Sequence, residues 1–201
     1  MKPEEAYRCA LRSKPAEDTR AIACQDPEYA FRYALNVDRC PREDTRKAAC
    51  KDPIRAYMYA KYIDEGPRED TRKAACEDPY YAYKYAEKVD KNPREDTRKA
   101  IYQDPYCAWG YAKDIDKGPR KDTREAACRE PDCAYLYAIM VDRCPRNDTR
   151  ESVCKDPKWA YEYMVGVDKN FNENTYKVVL GTEYEEKYIK FLNNRMKEEV
   201  I

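Results

Sequence analysis

The sequence predicts an all-α protein, an α-solenoid of 26-residue helix-turn-helix repeats closed by a C-terminal capping helix. The first observation is a strict period: an Asp-Pro or Glu-Pro pair returns every 26 residues, at Asp26, Asp52, Asp78, Asp104, Glu130 and Asp156. The second is a threonine with the same spacing, at Thr19, Thr45, Thr71, Thr97, Thr123, Thr149 and Thr175. A fixed period of this size is typical of repeat arrays, in which stacked units share one core.

The period divides a single repeat domain, residues 1–201, into three parts. Residues 1–25 form an irregular N-terminal unit, residues 26–180 the regular repeats and residues 181–201 the capping helix. The first unit is irregular because, when Ala6–Ala10 is matched to Ala30–Ala34, Pro15 comes two residues too early. Terminal repeats commonly depart from the pattern, since one of their faces has no neighbour.

Each regular unit opens with a first helix, which the residues after Asp78 illustrate. The Asp78 side chain can accept hydrogen bonds from free N–H groups of the first turn, and Pro79 has no N–H that would be wasted there. These signals predict a helix from Pro79 to Asp90. Four residues share its inward face at helical spacing: Ala82, Tyr85, Ala86 and Val89.

The first helix is predicted to end at glycine or asparagine, residue types that tolerate the left-handed conformation beyond a helix C-terminus. These residues are Gly66, Asn92, Gly118 and Asn170. A second helix follows and is predicted from Pro93 to about Ile101. Its inward face is expected to hold Pro93, Thr97, Ala100 and Ile101.

The last segment predicts a longer helix that covers the final repeat. Gly181 interrupts the chain, and Thr182 with Glu185 predicts a capping box at the start of the helix. One apolar face is expected from Tyr184, Tyr188, Ile189, Leu192, Met196 and Val200.

The composition argues against membrane association and against a general attraction to nucleic acid. The chain has 39 basic and 39 acidic side chains, so its formal net charge is zero. The amino terminus lacks the apolar segment of a signal peptide, and no stretch approaches the roughly 18 apolar residues of a membrane span. The sequence therefore predicts a cytoplasmic protein.

The ten cysteines follow the repeat rather than a pairing pattern. Five of them share one repeat position: Cys24, Cys50, Cys76, Cys128 and Cys154. Helices of neighbouring repeats pack about 8–10 Å apart, whereas a disulfide needs Cα atoms within about 7 Å. Free thiols in a reducing compartment are therefore expected.

Two arginines four residues apart recur on the second helices, and we call them the arginine ladder. Its members, the candidate partner-binding residues, are Arg42, Arg46, Arg68, Arg72, Arg94, Arg98, Arg120, Arg124, Arg146 and Arg150. Because guanidinium groups bind phosphates and carboxylates through two hydrogen bonds, the ladder could form an anion-binding track.

Internal ion pairing is the interpretation of the ladder that we favour. Acidic residues recur on the opposite edge of the same helices, at Asp44, Asp70, Asp96, Asp122 and Asp148, and would meet the arginines of a neighbouring unit. A second acidic row, which we call the Asp38 row, ends the first helices: Asp38, Asp64, Asp90, Asp116, Asp142 and Asp168.

Aromatic residues form two further rows on the first helices. One row is Phe31, Tyr57, Tyr83, Trp109, Tyr135 and Tyr161, and the other, the Tyr33 row, is Tyr33, Tyr59, Tyr85, Tyr111, Tyr137 and Tyr163. Such rings can stack on nucleic-acid bases. Packing is favoured here because large rings fill the space that the alanine core leaves open. The hydroxyl groups are expected to find partners in the Asp38 row.

The sequence offers few features that are typical of a catalytic site. It contains no histidine, no glycine-rich phosphate-binding loop and no Cys-x-x-Cys motif. We therefore expect no catalytic residue, no metal site, no cofactor and no enzymatic activity. A thiol-based redox or metal protein is the least favoured class, with Cys128 and Cys133 as its nearest pair.

Two segments resemble known helical repeats. Thr-Arg-Lys-Ala-Ala, at Thr45 and Thr71, resembles the second helix of HEAT-type and leucine-rich-variant repeats, although the present unit is much shorter. The block from Asp78, Asp-Pro-Tyr-Tyr-Ala-Tyr-Lys-Tyr-Ala, looks like the tyrosine- and alanine-rich helical tandem repeats of phage and large-virus proteins. The resemblance covers most of residues 26–168 and implies a helical array of viral origin.

Together these observations predict a non-enzymatic binding or scaffolding module that presents an extended surface to a protein partner. The alternative is a protein that binds the nucleic-acid backbone through the arginine ladder. The sequence leaves the oligomeric state and the identity of the partner open.

Overall fold

The computed structural model describes residues 1–13 and 15–198, with side chains described up to residue 195. In this part of the chain all regular structure is helical, with fifteen α-helices, five π-helical segments and no strand. The helices form pairs that recur along the sequence and pack against one another. The structure therefore confirms the predicted all-α, solenoid-type fold.

The chain forms two compact units, Met1–Ile101 and Tyr102–Ile201. The first unit contains α1 (Pro3–Arg12), α2 (Glu17–Ala23), α3 (Pro27–Tyr33), α4 (Glu43–Ala49), α5 (Pro53–Tyr62), α6 (Glu69–Ala75), α7 (Pro79–Tyr85) and α8 (Glu95–Ile101). The second contains α9 (Pro105–Tyr111), α10 (Lys121–Ala127), α11 (Pro131–Tyr137), α12 (Asn147–Val153), α13 (Pro157–Tyr163), α14 (Glu173–Val179) and α15 (Glu183–Glu198). Odd-numbered helices up to α13 are first helices, and even-numbered ones are second helices.

Aspartate caps the first helices as predicted. The Asp78 carboxylate accepts hydrogen bonds from the N–H groups of Tyr80 (2.9 Å) and Tyr81 (3.1 Å). Equivalent caps are made by Asp26, Asp52, Asp104 and Asp156. Glu130 makes no side-chain cap, which agrees with the strong preference for the shorter aspartate at this position.

Most first helices widen into a π turn at their C-terminal end. The π segments are Ala34–Asp38, Ala86–Asp90, Ala112–Asp116, Ala138–Asp142 and Met164–Asp168. Helix α7 and its π segment together cover Pro79–Asp90, which is the predicted span. The predicted inward residues Ala82, Tyr85, Ala86 and Val89 are all buried.

The left-handed residue after each first helix from α3 to α13 lies one position earlier than predicted. It is Arg39, Glu65, Lys91, Lys117, Arg143 or Lys169, each with φ between 53° and 56°, so the prediction for Gly66, Asn92, Gly118 and Asn170 was wrong. Two physical causes act together. The N–H of the left-handed residue itself reaches back five residues, as from Arg143 to the Ala138 carbonyl (2.8 Å). In most units the next residue precedes proline, which favours an extended conformation there.

The second helices begin two residues later than predicted. Helix α8 starts at Glu95, and Pro93 is exposed rather than inward. Thr97 and Ile101 are buried as predicted, and Ala100 is half-buried. At the equivalent starts of α4 and α6, Arg42 and Arg68 occupy the N-cap position with extended backbone and no side-chain cap.

Helix α15 covers the last repeat through Tyr188, which is fully buried. Tyr184, Phe191 and Leu192 pack in the same cluster, whereas Ile189 is 43% exposed. Ile189 was therefore wrongly placed on the apolar face, since the face is centred on Tyr188. The predicted positions Val200 and the Met196 side chain lie outside the described residues.

The predicted capping box of α15 is shifted by one residue. The Thr182 hydroxyl accepts the N–H of Tyr184 (3.2 Å), but Glu185 accepts the N–H of Gly181 (2.8 Å) rather than that of Thr182. The Thr182 N–H instead donates to the Val179 carbonyl (3.0 Å). Among the described residues, every helix is too short or too polar to cross a lipid bilayer.

Candidate functional site

The arginine ladder divides into two rows with different environments. The second arginine of each pair, together with Arg20, forms the inner row: Arg20, Arg46, Arg72, Arg98, Arg124 and Arg150. All are buried or nearly so. The first arginine of each pair forms the outer row: Arg42, Arg68, Arg94, Arg120 and Arg146. These residues are exposed.

Inner-row arginines form ion pairs with the Asp38 row. The Arg72 guanidinium binds the Asp90 carboxylate through Nε–Oδ2 (2.9 Å) and Nη2–Oδ1 (2.6 Å) contacts. The two side chains are only 8% and 3% exposed. The same pairing joins Arg20–Asp38, Arg46–Asp64, Arg124–Asp142 and Arg150–Asp168. The carboxylates of the Asp38 row therefore already bind these arginines inside the fold.

Each inner arginine is further enclosed by its surroundings. The Arg72 guanidinium lies over the Tyr85 ring, 5.6 Å from its centroid. The hydrogen bond with Asp90 raises the pKa of Arg72 above its ordinary value, because the carboxylate favours the charged form. Asp96 belongs to the acidic row that begins at Asp44, which was expected to pair with the arginines. It makes only a second and more distant contact with Arg72, at an Nη1–Oδ2 distance of 3.9 Å.

Outer-row arginines each lie beside a carboxylate two residues further along the chain. The Nε–Oδ1 distances range from 3.2 to 3.8 Å for Arg42–Asp44, Arg68–Asp70, Arg94–Asp96, Arg120–Asp122 and Arg146–Asp148. Such exposed pairs contribute little, about 0–1 kcal/mol each. The outer row is accessible, but negative charges are interleaved with it at every step.

The tyrosine hydroxyls of the Tyr33 row bind the start of the preceding second helix. The Tyr85 hydroxyl accepts the Arg68 N–H (3.0 Å) and lies 2.9 Å from the Thr71 hydroxyl. Tyr59, Tyr137 and Tyr163 make the equivalent contacts. The prediction that the Asp38 row would bind these hydroxyls was wrong, because the inner arginines already bind those carboxylates. The predicted packing role of the rings is confirmed, since this row is fully buried.

Between residues 26 and 168, all of which the structure describes, the exposed large apolar side chains are confined to the first helices. Six are at least 36% exposed: Leu35, Tyr62, Tyr80, Tyr106, Ile139 and Met140. Each lies on a first helix or its π segment. In each of the two units, we call the outward surface of the first helices the outer face.

A groove crosses the outer face between α5 and α7 in the first unit. It has a volume of about 430 Å³. Its lining consists of Ile54, Tyr57, Met58, Lys61, Tyr62, Tyr80, Tyr81, Lys84 and Lys88. The Tyr57 and Tyr81 rings are tilted against each other, with centroids 6.1 Å apart. We call this the tyrosine–lysine groove.

Sequence reasoning missed this groove. Tyr80, Lys84 and Lys88 lie outside the predicted inward face of the first helix, but the helical pattern alone does not show that Lys61 and Tyr62 of the previous repeat lie next to them. The available signal was the coincidence of exposed tyrosines and lysines at outward positions of two consecutive repeats. The groove exists because neighbouring first helices pack side by side.

The corresponding surface between α11 and α13 in the second unit has a different chemistry. Lys61 and Tyr62 are replaced there by Ile139 and Met140, which are 36% and 44% exposed. The Tyr135 and Trp159 rings pack with centroids 5.6 Å apart. Gly166 faces the Tyr135 hydroxyl so closely that an added Cβ would lie 3.0 Å from it.

The cysteines are free thiols that range from buried to exposed. All ten are unpaired with one another. Burial raises the pKa of Cys50, Cys76 and Cys128 to about 12 and that of Cys24 to about 11. Protonated thiols are poor nucleophiles and poor metal ligands. In the described part of the chain, no group of three or more Cys, Asp or Glu side chains is arranged to hold a metal ion.

Comparisons with protein-family models, with curated proteins and with solved structures give no match to this chain.

Proposed function

We propose that the chain is a non-enzymatic helical-repeat module that binds a protein partner on its outer face. The observation that carries this proposal is the confinement of exposed Leu, Ile, Met and Tyr side chains to the first helices between residues 26 and 168. Tyrosine and methionine are enriched in protein interfaces, where they bury apolar area. Exposed apolar side chains that lie side by side, as Tyr62 and Tyr80 do in the tyrosine–lysine groove, are typical of interaction surfaces.

The repeat-invariant residues support the same proposal by their internal roles. The inner arginines, the Asp38 row, the Tyr33 row and the buried threonines join the second helix of one repeat to the first helix of the next. What differs between units is the outer face, as at Arg32, Met58, Lys84, Leu136 and Glu162, which share one repeat position. Variation on one face of a fixed frame allows each unit to contact a different part of one partner.

Photo-crosslinking in cells tests the proposal directly. Benzoylphenylalanine at Tyr106 or Met140 samples the outer face, and the same residue at Lys47 or Lys73 samples the second helices, where both lysines are exposed. We expect discrete protein adducts from the outer face only. Equal labelling from both surfaces, or none from either, would contradict the proposal.

The outer arginine row supports a second candidate, a module that binds the nucleic-acid backbone. Its five members are exposed and could turn from their aspartates towards phosphates. The interleaved carboxylates and the zero net charge disfavour it. Salt-dependent oligonucleotide binding that is lost when Arg42, Arg68, Arg120 and Arg146 become alanine would favour this candidate.

We also propose a cytoplasmic location, in the host cell if the viral resemblance reflects the origin of the chain. Ten free thiols support this location, because reducing compartments preserve them.

A further inference from the structure

We propose that the tyrosine–lysine groove between α5 and α7 binds a short acidic segment of the protein partner that carries an apolar side chain. The proposal rests on the proposed function and names the chemistry of one of its sites. The groove lies wholly within the first unit, on the outer face. Its volume of about 430 Å³ lies within the range of about 300–1,000 Å³ typical of ligand sites.

Positive charge is concentrated around this groove. A second depression of about 310 Å³ adjoins it, since Lys61 and Lys88 line both. Its other charged residues are Glu65 and Lys91. The two depressions are lined by four lysines, Lys61, Lys84, Lys88 and Lys91, and one glutamate, Glu65. Glu87 pairs with Lys84 and Lys88, and Asp52, Asp78 and Arg55 lie within electrostatic reach of Tyr81. An acidic ligand complements this charge.

The lysines differ in how far they are already neutralised. Glu87 binds Lys84 (2.9 Å) and Lys88 (2.7 Å). Among the described residues, Lys61 and Lys91 have no carboxylate within ion-pair distance. Lys61 rests instead on aromatic rings, with its Nζ 4.7 Å from the centroid of Tyr62 and 5.6 Å from that of Tyr57. A ligand carboxylate can therefore bind Lys61 in the groove, or Lys91 in the adjoining depression, without displacing an existing ion pair.

The floor and walls of the groove suit an apolar side chain. Ile54 and Met58 line it, and the flexible thioether of Met58 can adapt to ligands of different shape. Tyr62 and Tyr80 are 49% and 51% exposed and place hydroxyl groups and the ring atoms that the lysines leave uncovered at its rim. A peptide with a carboxylate next to a leucine or phenylalanine would engage both chemistries at once.

Single-stranded nucleic acid fits the groove less well than a peptide. Base stacking needs open ring faces, but Lys61 covers Tyr62, and Lys84 lies 5.6 Å from the centroid of Tyr80. The Tyr81 ring meets Tyr80 edge-on. Glu87 also stands between the two lysines that would bind neighbouring phosphates.

The test is selection from a phage-displayed random dodecapeptide library against the full chain. We expect selected peptides to be enriched in Asp and Glu and to carry an aliphatic or aromatic residue. The Lys61→Glu/Lys88→Glu variant should lose this enrichment and bind the selected peptides at least about tenfold more weakly. The Tyr62→Ala/Tyr80→Ala variant leaves the charge of the groove unchanged and should also bind the same peptides more weakly.

Lys47→Glu/Lys73→Glu is the matched control, because it makes the same charge change at exposed lysines of the same unit outside the groove. It should select the same acidic peptides as the unmodified chain. Circular dichroism checks that every variant keeps its helix content.

Several outcomes would overturn the inference. Selection of peptides without acidic enrichment, enrichment that survives Lys61→Glu/Lys88→Glu, or no selected peptide at all would each do so. Binding of a labelled oligothymidylate that the groove variant abolishes would make nucleic acid the occupant. In any of these cases, crosslinks from the outer face to a protein would still support the proposed function. Failure of the groove inference can therefore be distinguished from failure of the proposed function.

Discussion

Arg72 and Asp90, 18 residues apart in sequence, form a buried ion pair in which the guanidinium nitrogens Nε and Nη2 donate to the carboxylate at 2.6–3.0 Å. Arg72 lies on the second helix of one repeat and Asp90 at the end of the next first helix. The pair therefore ties consecutive repeats together.

Removing the Arg72 guanidinium should destabilise the fold strongly. Arg72→Ala leaves the Asp90 carboxylate buried without its partner, and breaking a buried pair in this way typically costs about 3–5 kcal/mol. Arg68→Ala is the matched control, since Arg68 is 52% exposed and lies 3.7 Å from Asp70. Its expected effect is about 0–1 kcal/mol.

Urea unfolding followed by circular dichroism measures both free energies of unfolding. The comparison also tests how the arginine ladder is divided. If Arg72→Ala and Arg68→Ala lowered the free energy of unfolding equally, the inner and outer rows would contribute equally to stability, contrary to their difference in burial.

The Tyr85 hydroxyl should contribute to stability independently of its ring. Tyr85→Phe keeps the packing but removes the acceptor of the Arg68 N–H and one of the two partners of the fully buried Thr71 hydroxyl, which still donates to the Arg68 carbonyl (3.3 Å). An unsatisfied buried polar group costs about 1–3 kcal/mol. Tyr80→Phe, at a half-exposed ring, should change the free energy of unfolding by less than about 0.5 kcal/mol. A Tyr85→Phe protein as stable as the unmodified chain would refute the capping role.

The repeat period, the aspartate caps and the inward face of the first helices could be predicted because each depends on residues within one or two helical turns. The partner of Arg72 could not be predicted in the same way. A helical pattern shows which residues share a face, but not which residue of the next helix reaches that face. Both Asp90 and Asp96 were chemically suitable, and the packing of α6 against α7 selects Asp90 as the close partner.

The Tyr85 hydroxyl illustrates the same limit. Its true partners, Thr71 and the Arg68 backbone, lie 14 and 17 residues away, on a helix whose predicted start was two residues too early. The tyrosine–lysine groove likewise depends on how two first helices pack. By contrast, the shifted left-handed residues were within reach of sequence reasoning, since the residue before proline avoids helical conformations.

Glycine substitutions test the position of the left-handed residues. Gly118 has no positive φ, and a Cβ added there meets nothing within 4 Å. Gly118→Ala should therefore stabilise the protein by about 0.4–1 kcal/mol, because alanine restricts the unfolded chain. If Gly118 were the left-handed residue, as the sequence indicated, the same change would destabilise the fold.

Gly181→Ala is the contrasting variant, because Gly181 has a φ of 74° and a Cβ added there also meets nothing within 4 Å. Alanine in the left-handed region costs about 1–2 kcal/mol, so we expect a loss of stability of that size. Thermal unfolding of the two variants side by side decides the matter. A loss at Gly118 as large as that at Gly181 would contradict the observed backbone.

The half-buried thiols of Cys50, Cys76 and Cys128 should make stability fall at alkaline pH. Burial raises the pKa of Cys50, Cys76 and Cys128 from the ordinary value of 9.0 to about 12. In that interval the folded state keeps protons that the unfolded state releases. Their stabilising contribution is therefore complete below about pH 9 and is lost as the pH rises towards about 12.

A variant with alanine at Cys50, Cys76 and Cys128 should lose less stability between pH 8 and pH 11 than the unmodified chain. Tyr85 lowers the stability of both proteins as the pH rises, because burial also raises the pKa of its hydroxyl. Alanine at the exposed Cys9, Cys40 and Cys144 is the matched control and should leave the slope unchanged. Urea unfolding across this pH range measures the three slopes. If the Cys50, Cys76 and Cys128 variant and the control lost the same stability between pH 8 and pH 11, the alkaline loss would come from groups other than these three cysteines.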